Sequence, residues 1–328
     1  MPARPVANEG VHPVAVDWCP ILLRRLDSRG EGPPSTWRVG GGGRPRLNAR
    51  NRYPTCWLWR LRIVGVGSYA VGMDPSIERF RCLARSSPWR WSTLRYVKER
   101  DQSGRHNNRV RVLIRRPHLA RVEQLDGTLL RVHRGEPQTV TPLSRHGNAP
   151  PMTLPRPSEV EVELDEVGLV RQRPGRWQLD TDTVMIGNYY DLAFLDPVEL
   201  ADGGDGGPAA TIEDLQVVDH RGRRAWEAVL RPTPAYDPLC PCCPLMLSER
   251  FEDTELGLRE ADPDFVYPDG HRVRIDVATG VCVFNQQLGG TRDGSGHDLA
   301  IEAVDEPMGD ELFEQPPRSR WDRVLGRR

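Results

Sequence analysis

Residues 110–134 read VRVLIRRPHLARVEQLDGTLLRVHR. Val110, Val112 and Ile114 alternate with Arg109, Arg111 and Arg115. That period of two puts one set of side chains on each face of a strand. Pro117 has no N–H to give a ladder and ends the strand. Residues 119–125 and 128–134 form a second pair around Asp126-Gly127, a dipeptide that favours a tight hairpin turn. The stretch therefore reads as an antiparallel meander with one apolar and one arginine-rich face.

Upstream, Trp89, Trp91, Thr93, Arg95 and Val97 alternate with Arg90, Ser92, Leu94, Tyr96 and Lys98, which extends the meander by a strand. A polar turn at 102–107 separates it from Val110. Before it, Asp74 and Pro75 suit the start of a helix, and Ile77, Phe80 and Leu83 follow at helical spacing. A helix is expected over Met73–Ser87, placed to cover the apolar face of the sheet. Downstream, residues 141–158 are proline-rich and read as a loop, and 159–164 alternates again. A helix or turn is expected near Tyr189–Phe194, and Asp202-Gly-Gly-Asp-Gly-Gly207 reads as a flexible loop. Further strands fall at 212–219, 223–231, 271–277, 281–287 and 298–304, broken by Thr279-Gly280 and by the loop 289–296.

Residues 1–72 mix Pro, Gly and Arg without a lasting apolar period and read as a disordered basic arm. Met73 reads as the natural beginning, with the preceding stretch an over-extended gene start. Residues 73–315 form the β domain and 316–328 a polar tail. The net charge of −1 conceals a gradient: +7 over 1–72, +9 over 73–148 and −17 over 149–328. Such asymmetry suits a nucleic-acid or membrane partner, or two halves of one fold that attract each other; the last is the reading adopted. Nucleic-acid binding is disfavoured, because stacking needs aromatic and arginine side chains on one exposed face, and the alternation sets Trp89 and Trp91 with Val97. Lys98 is the only lysine among 45 basic residues, so arginine is the default cation of this chain and its count says little about function.

No apolar run reaches the roughly 18 residues of a membrane span. The best candidate, Trp57–Met73, is interrupted by Arg60 and Arg62, and it lies too far in for a signal peptide. The cytoplasm is the default compartment. Gly65-Val-Gly67-Ser-Tyr-Ala70 has the form of a dinucleotide fingerprint, but Pro75 follows closely and residues 79–98 hold no acid for a ribose. No nucleophile–base constellation, Walker loop or H-E-x-x-H motif is present, so no catalytic residues are assigned. The seven cysteines are too few and too scattered for a secreted disulfide framework. Cys240-Pro-Cys242-Cys243-Pro244 is the exception. Three thiolates there would suit zinc, although one residue between ligands is tighter than usual. Cys240 and Cys243 also have the C-x-x-C spacing of redox pairs. The remaining reading is a tight turn with structural thiols.

Several stretches together resemble a known family. They are Val110–Glu123 with Arg116-Pro117, Gly127–Gly135, Gly187-Asn188-Tyr189-Tyr190, Leu195–Ala201, Val273–Val281, Gly289-Gly290, Ile301–Pro307 and Leu312-Phe313. Over about 73–315 the pattern looks like the lipoprotein-carrier-like proteins (LolA/LolB-like, with the N-terminal domain of RseB-type sigma-factor regulators), and most like their uncharacterised relatives in high-GC bacteria. The resemblance implies a mainly β fold, a curved antiparallel sheet or incomplete β-barrel covered by one or more helices. It implies a non-enzymatic protein that binds an apolar ligand, a lipid or a lipidated partner. Trp89, Trp91, Val112, Ile114, Val273, Ile275 and Phe80 are the expected lining of a chamber between helix and sheet. A regulatory or scaffold module is the first alternative. A metal or thiol-redox protein built on Cys240, Cys242 and Cys243, with zinc as its one candidate cofactor, is the second.

Overall fold

The computed structural model describes residues 73–141 except 101–108, and 143–315 except 145–146, 149, 176–177, 184, 205, 241, 250–257 and 259–261. The N-terminal arm, the fingerprint-like Gly65–Ala70, the polar turn at 102–107 and the tail 316–328 lie outside the described residues.

The fold is mainly β. The first half supplies β1 (Thr93–Arg100), β2 (Val110–Arg115), β3 (Leu119–Glu123) and β4 (Leu129–Arg134). Short strands follow in three separate pairs: β5 (Thr139–Val140) with β8 (Met152–Thr153), β6 (Leu143–Ser144) with β7 (Gly147–Asn148), and β9 (Glu163–Leu164) with β10 (Val170–Gln172). The second half supplies β11 (Ala210–His220), β12 (Arg223–Pro232), β13 (Gly270–Asp276), β14 (Cys282–Leu288) and β15 (Asp298–Val304). Nine of these form one antiparallel sheet in the order β11-β12-β13-β14-β15-β1-β2-β3-β4. Each half is a sequential meander, and β15 pairs with β1 to fuse them. The sheet stays open, with β11 and β4 as its edges.

The alternation predicted for 110–134 is realised. Leu94 lies beside Ile114 and Ile114 beside Ala120; Tyr96 lies beside Val112 and Val112 beside Val122. All six are buried, and full burial of a large apolar side chain is worth about 1.5–3 kcal/mol. The opposite face carries Arg95, Arg111, Arg115 and Arg121. It is covered where Leu113 and Val132 pack with Met308 and with Phe313, the last residue of the final 3₁₀ turn Asp310–Phe313. The hairpin turn at 126–127 forms as expected, with Gly127 at φ +89° and Thr128 N–H donating to the Asp126 carboxylate at 2.9 Å.

The charge gradient resolves into ion pairs between the two halves. Arg85 meets Asp202 at 2.7 Å, Lys98 meets Asp191 at 2.8 Å, and Arg111 meets Glu302 at 2.8 Å. Arg95 bridges Glu302 and Glu306, and Arg115 contacts Asp310. The arginines of the polar face are thus matched to acids of this same chain.

Three details differ from the sequence reading. The first helix, α1, spans Ile77–Ser86, and its N-cap is Ser76, whose hydroxyl accepts from Arg79 N–H at 3.2 Å. Asp74 and Pro75 precede the helix. β1 starts at Thr93 because Pro88 opens a 3₁₀ turn, closed by Arg90 N–H on the Ser87 carbonyl at 3.1 Å; the Trp/Arg alternation of 89–92 imitates a strand. The third concerns the cover. α1 packs chiefly on β10 and on the 3₁₀ turn Val198–Leu200. A second helix, α2 (Tyr189–Leu195), reaches the sheet: Phe194 stands edge-on to Tyr96 at 6.1 Å, and Tyr190 edge-on to His297 at 5.3 Å.

We predict that Leu94→Ala, in the fully buried row, lowers the unfolding free energy by about 2–5 kcal/mol. Ser76→Ala, which removes only a cap, should cost about 1 kcal/mol. Urea melts of both variants check the order; equal losses would refute the interior placement of Leu94.

Candidate metal centre in the Cys240–Cys243 turn

After β12 the chain runs through Thr233–Leu247 across the second half of the molecule. Its first bend is held by Thr233, whose hydroxyl donates to the Pro208 carbonyl at 2.7 Å and accepts from Ala235 N–H at 3.1 Å. The glycine-rich loop packs tightly here. A Cβ on Gly203 would lie 2.4 Å from the Ala235 carbonyl oxygen, and Gly204 N–H donates to that oxygen at 2.9 Å. Glycine permits this backbone approach, which any larger residue would block.

The thiol turn is braced at both ends by one carboxylate. Glu199, 2% exposed, accepts from Leu239 N–H at 2.9 Å on one oxygen. On the other it accepts from Leu245 N–H and from the Tyr236 hydroxyl, both at 2.8 Å. Tyr236 in turn accepts from Met246 N–H at 3.0 Å. Bonds from a buried carboxylate to backbone N–H groups are among the stronger ones a protein makes. Below them, Asn285 on β14 donates to the Leu245 carbonyl, and His271 on β13 contacts the Leu247 carbonyl at 3.3 Å. The polar chain continues inward. The Asn285 amide faces the Tyr190 hydroxyl at 3.4 Å, Tyr190 donates to His297 Nδ1 at 2.9 Å, and His297 Nε2 donates to the Cys282 carbonyl at 2.8 Å. Burial dominates the titration of His271: it pushes the imidazole down to about 4, although Leu247 and Asn285 both offer acceptors to the ring.

On this frame the three sulfurs converge. Cys243 N–H closes the turn on the Cys240 carbonyl at 3.2 Å. The Sγ atoms of Cys240 and Cys242 lie 2.8 Å apart, those of Cys242 and Cys243 3.8 Å, and all three fall within 4.8 Å of one another. Cys240 and Cys243 are buried, and Cys242 is the partly exposed corner. The Cys240 thiol beside it, and then burial, push the Cys243 thiol far above the ordinary range. Among the described residues the converging group consists of these three thiols. Cys282 is buried on β14 and contacts the Phe284 carbonyl, and His220 contacts the Leu299 carbonyl. His271 reaches the loop through its backbone.

Six of the seven residues expected to line an apolar chamber sit in the packed interior. Phe80, Val112, Ile114, Val273, Ile275 and Trp91 are all 4% exposed or less. The Arg116 guanidinium lies 3.9 Å from the centre of the Trp91 ring, and Trp91 Nε1 donates to Ser87 Oγ at 3.1 Å. Trp89 is partly exposed; Arg173 stands 5.3 Å from its ring, and its Nε1 donates to the Val160 carbonyl. Two depressions open elsewhere, one of about 830 Å³ between Val132–Gly135, Met185 and Gln315, the other of about 470 Å³ over β11 and β12. No helix among the described residues is long and apolar enough to cross a membrane.

Sequence reasoning found the thiols and missed their brace. Glu199 lies about 40 residues before the turn, in the stretch LDPVELAD over 195–202, where nothing local sets it apart from its acidic neighbours Asp196 and Asp202. Comparison with known proteins adds no family, for neither a protein-family model nor a curated protein matches the chain.

His271 sets a pH dependence. Its pKa is about 4 when folded, against 6.5 for an ordinary imidazole. The unfolded chain therefore binds the extra proton between those values. The stability that this residue contributes is complete above pH 6.5 and falls by about 3 kcal/mol as the pH drops to 4. His271→Gln should flatten that part of the stability profile in chemical melts; an unchanged slope would show that the ring is already charged in the fold.

Proposed function

We propose that the chain is a soft-metal-binding protein whose site is the Cys240–Cys243 turn. The observation that carries this reading is the convergence of three Sγ atoms within 4.8 Å on a turn held at both ends by Glu199. Thiolates select borderline or soft ions, Zn²⁺ or Cu⁺, over magnesium and calcium. Two thiolates on one tetrahedral ion at Zn–S of about 2.3 Å stand about 3.8 Å apart. The Cys242–Cys243 separation already has that value, and the Cys240–Cys242 pair would open by about 1 Å. The exposed Cys242 corner gives an ion its way in, while Cys240 and Cys243 close the inner side. Glu199 does not coordinate; it orients the peptide frame, the part that outer partners play around metal ligands.

Carriage of an apolar ligand, the role implied by the family resemblance, draws less support. Six of its seven expected lining residues are spent on packing, and the depressions described above lie elsewhere.

Titration of the reduced, full-length chain with Zn²⁺ and with Cu⁺, each against a chromophoric chelator, tests the proposal. One equivalent of one of the two should bind. Cys242→Ser should weaken it by a hundredfold or more, and Glu199→Gln by about tenfold. Equal uptake by a variant with all three cysteines changed to serine, or no uptake by the native chain, would overturn the reading.

A further inference from the structure

We infer that Cys240 and Cys242 form an oxidation switch on this site, closing to a disulfide under hydrogen peroxide and releasing the ion; the release half rests on the metal reading above. The sequence offers Cys240 and Cys243, at C-x-x-C spacing, as the redox pair. The geometry selects a different one. Cys240 Sγ and Cys242 Sγ are 2.8 Å apart, inside the roughly 3.5–4 Å of an ordinary non-bonded contact and less than about 1 Å from the S–S bond length. Cys243 stands 3.8 Å from Cys242, the spacing of two ligands on one ion.

Exposure assigns the order of events. Cys242 is the only one of the three with appreciable solvent contact, so peroxide meets it first. Its thiolate attacks one peroxide oxygen, the O–O bond breaks, and Cys242 becomes a sulfenic acid while hydroxide leaves. The Cys240 thiolate then attacks the Cys242 sulfur and displaces a second hydroxide. The S–S bond forms, each sulfur having lost one electron. The sum is two thiols and one hydrogen peroxide giving one disulfide and two waters. A disulfide sulfur is no anionic ligand, so Cys243 alone remains of the three, and one thiolate does not hold a metal ion against water.

The other described cysteines stay out of this chemistry. Cys82 and Cys282 are buried, on α1 and β14, and burial pushes both thiols up, to about 11 for Cys82.

The test uses the full chain loaded with Zn²⁺. Hydrogen peroxide is added stepwise, released zinc is read with a chromophoric chelator, and the peptide carrying residues 240–243 is weighed after digestion. The expected result is zinc release in step with the loss of two hydrogens from that peptide, reversed by a dithiol reductant. Cys243→Ser should keep the disulfide, and Cys242→Ser should abolish it. Cys242 trapped as sulfinic acid, a disulfide that requires Cys243, or zinc release without any disulfide would each overturn the switch. Should the native chain take up no zinc, the metal reading fails by itself, and weighing the peptide from metal-free protein still decides whether the disulfide forms.

Discussion

The pairing of β1 with β15 is the constraint on which the rest of the molecule depends. Leu94 faces Val304 and Lys98 faces Leu299 across that seam, joining strands about two hundred residues apart. Without it there are two separate meanders, each with an extra open edge and half an apolar face. Closing so long a loop has an entropic cost before any contact is gained. The compensation is collective: the seam completes a continuous apolar surface, and the ion pairs between halves gather around it. Individually those pairs are weak where exposed. Together they disfavour other alignments, because a shifted register would carry Glu302 away from Arg95 and Arg111.

The buried polar network follows from the same geometry. Tyr190, His297, Asn285 and His271 lie under α2 and the thiol loop, where a polar atom lacking a partner would cost about 1–3 kcal/mol. They are joined in one chain of hydrogen bonds that runs from the Cys282 carbonyl to the carbonyls of Leu245 and Leu247. The loop that carries the thiols is thereby part of the interior's hydrogen bonding, tied to β13, β14 and α2 at once.

Much of the sheet was legible in the sequence, because alternation and turn chemistry are local. β15 matches its expected bounds, and the Asp126-Gly127 turn sits where its composition put it. β1 was read as beginning four residues early: tryptophan–arginine alternation has the right period, and the turn that interrupts it depends on a bond back to Ser87. The role of α2 was hidden for another reason. Seven residues show too little periodicity to reveal a buried face, and its partners Tyr96 and His297 are some hundred residues away on either side. At the candidate site, cysteine spacing exposed the three thiols, but Glu199, Tyr236 and Asn285 become neighbours only through tertiary folding.

The brace made by Glu199 separates this turn from small zinc modules that are coils until their ion arrives. Here the peptide path is held by the oxygens of Glu199 and Tyr236 and the amide of Asn285. A loop held in this way would keep its outline were its thiols to take up an ion or to join. Emptying and refilling would then be a local event at one corner of the molecule, quick and repeatable, with no need to dismantle the sheet beneath.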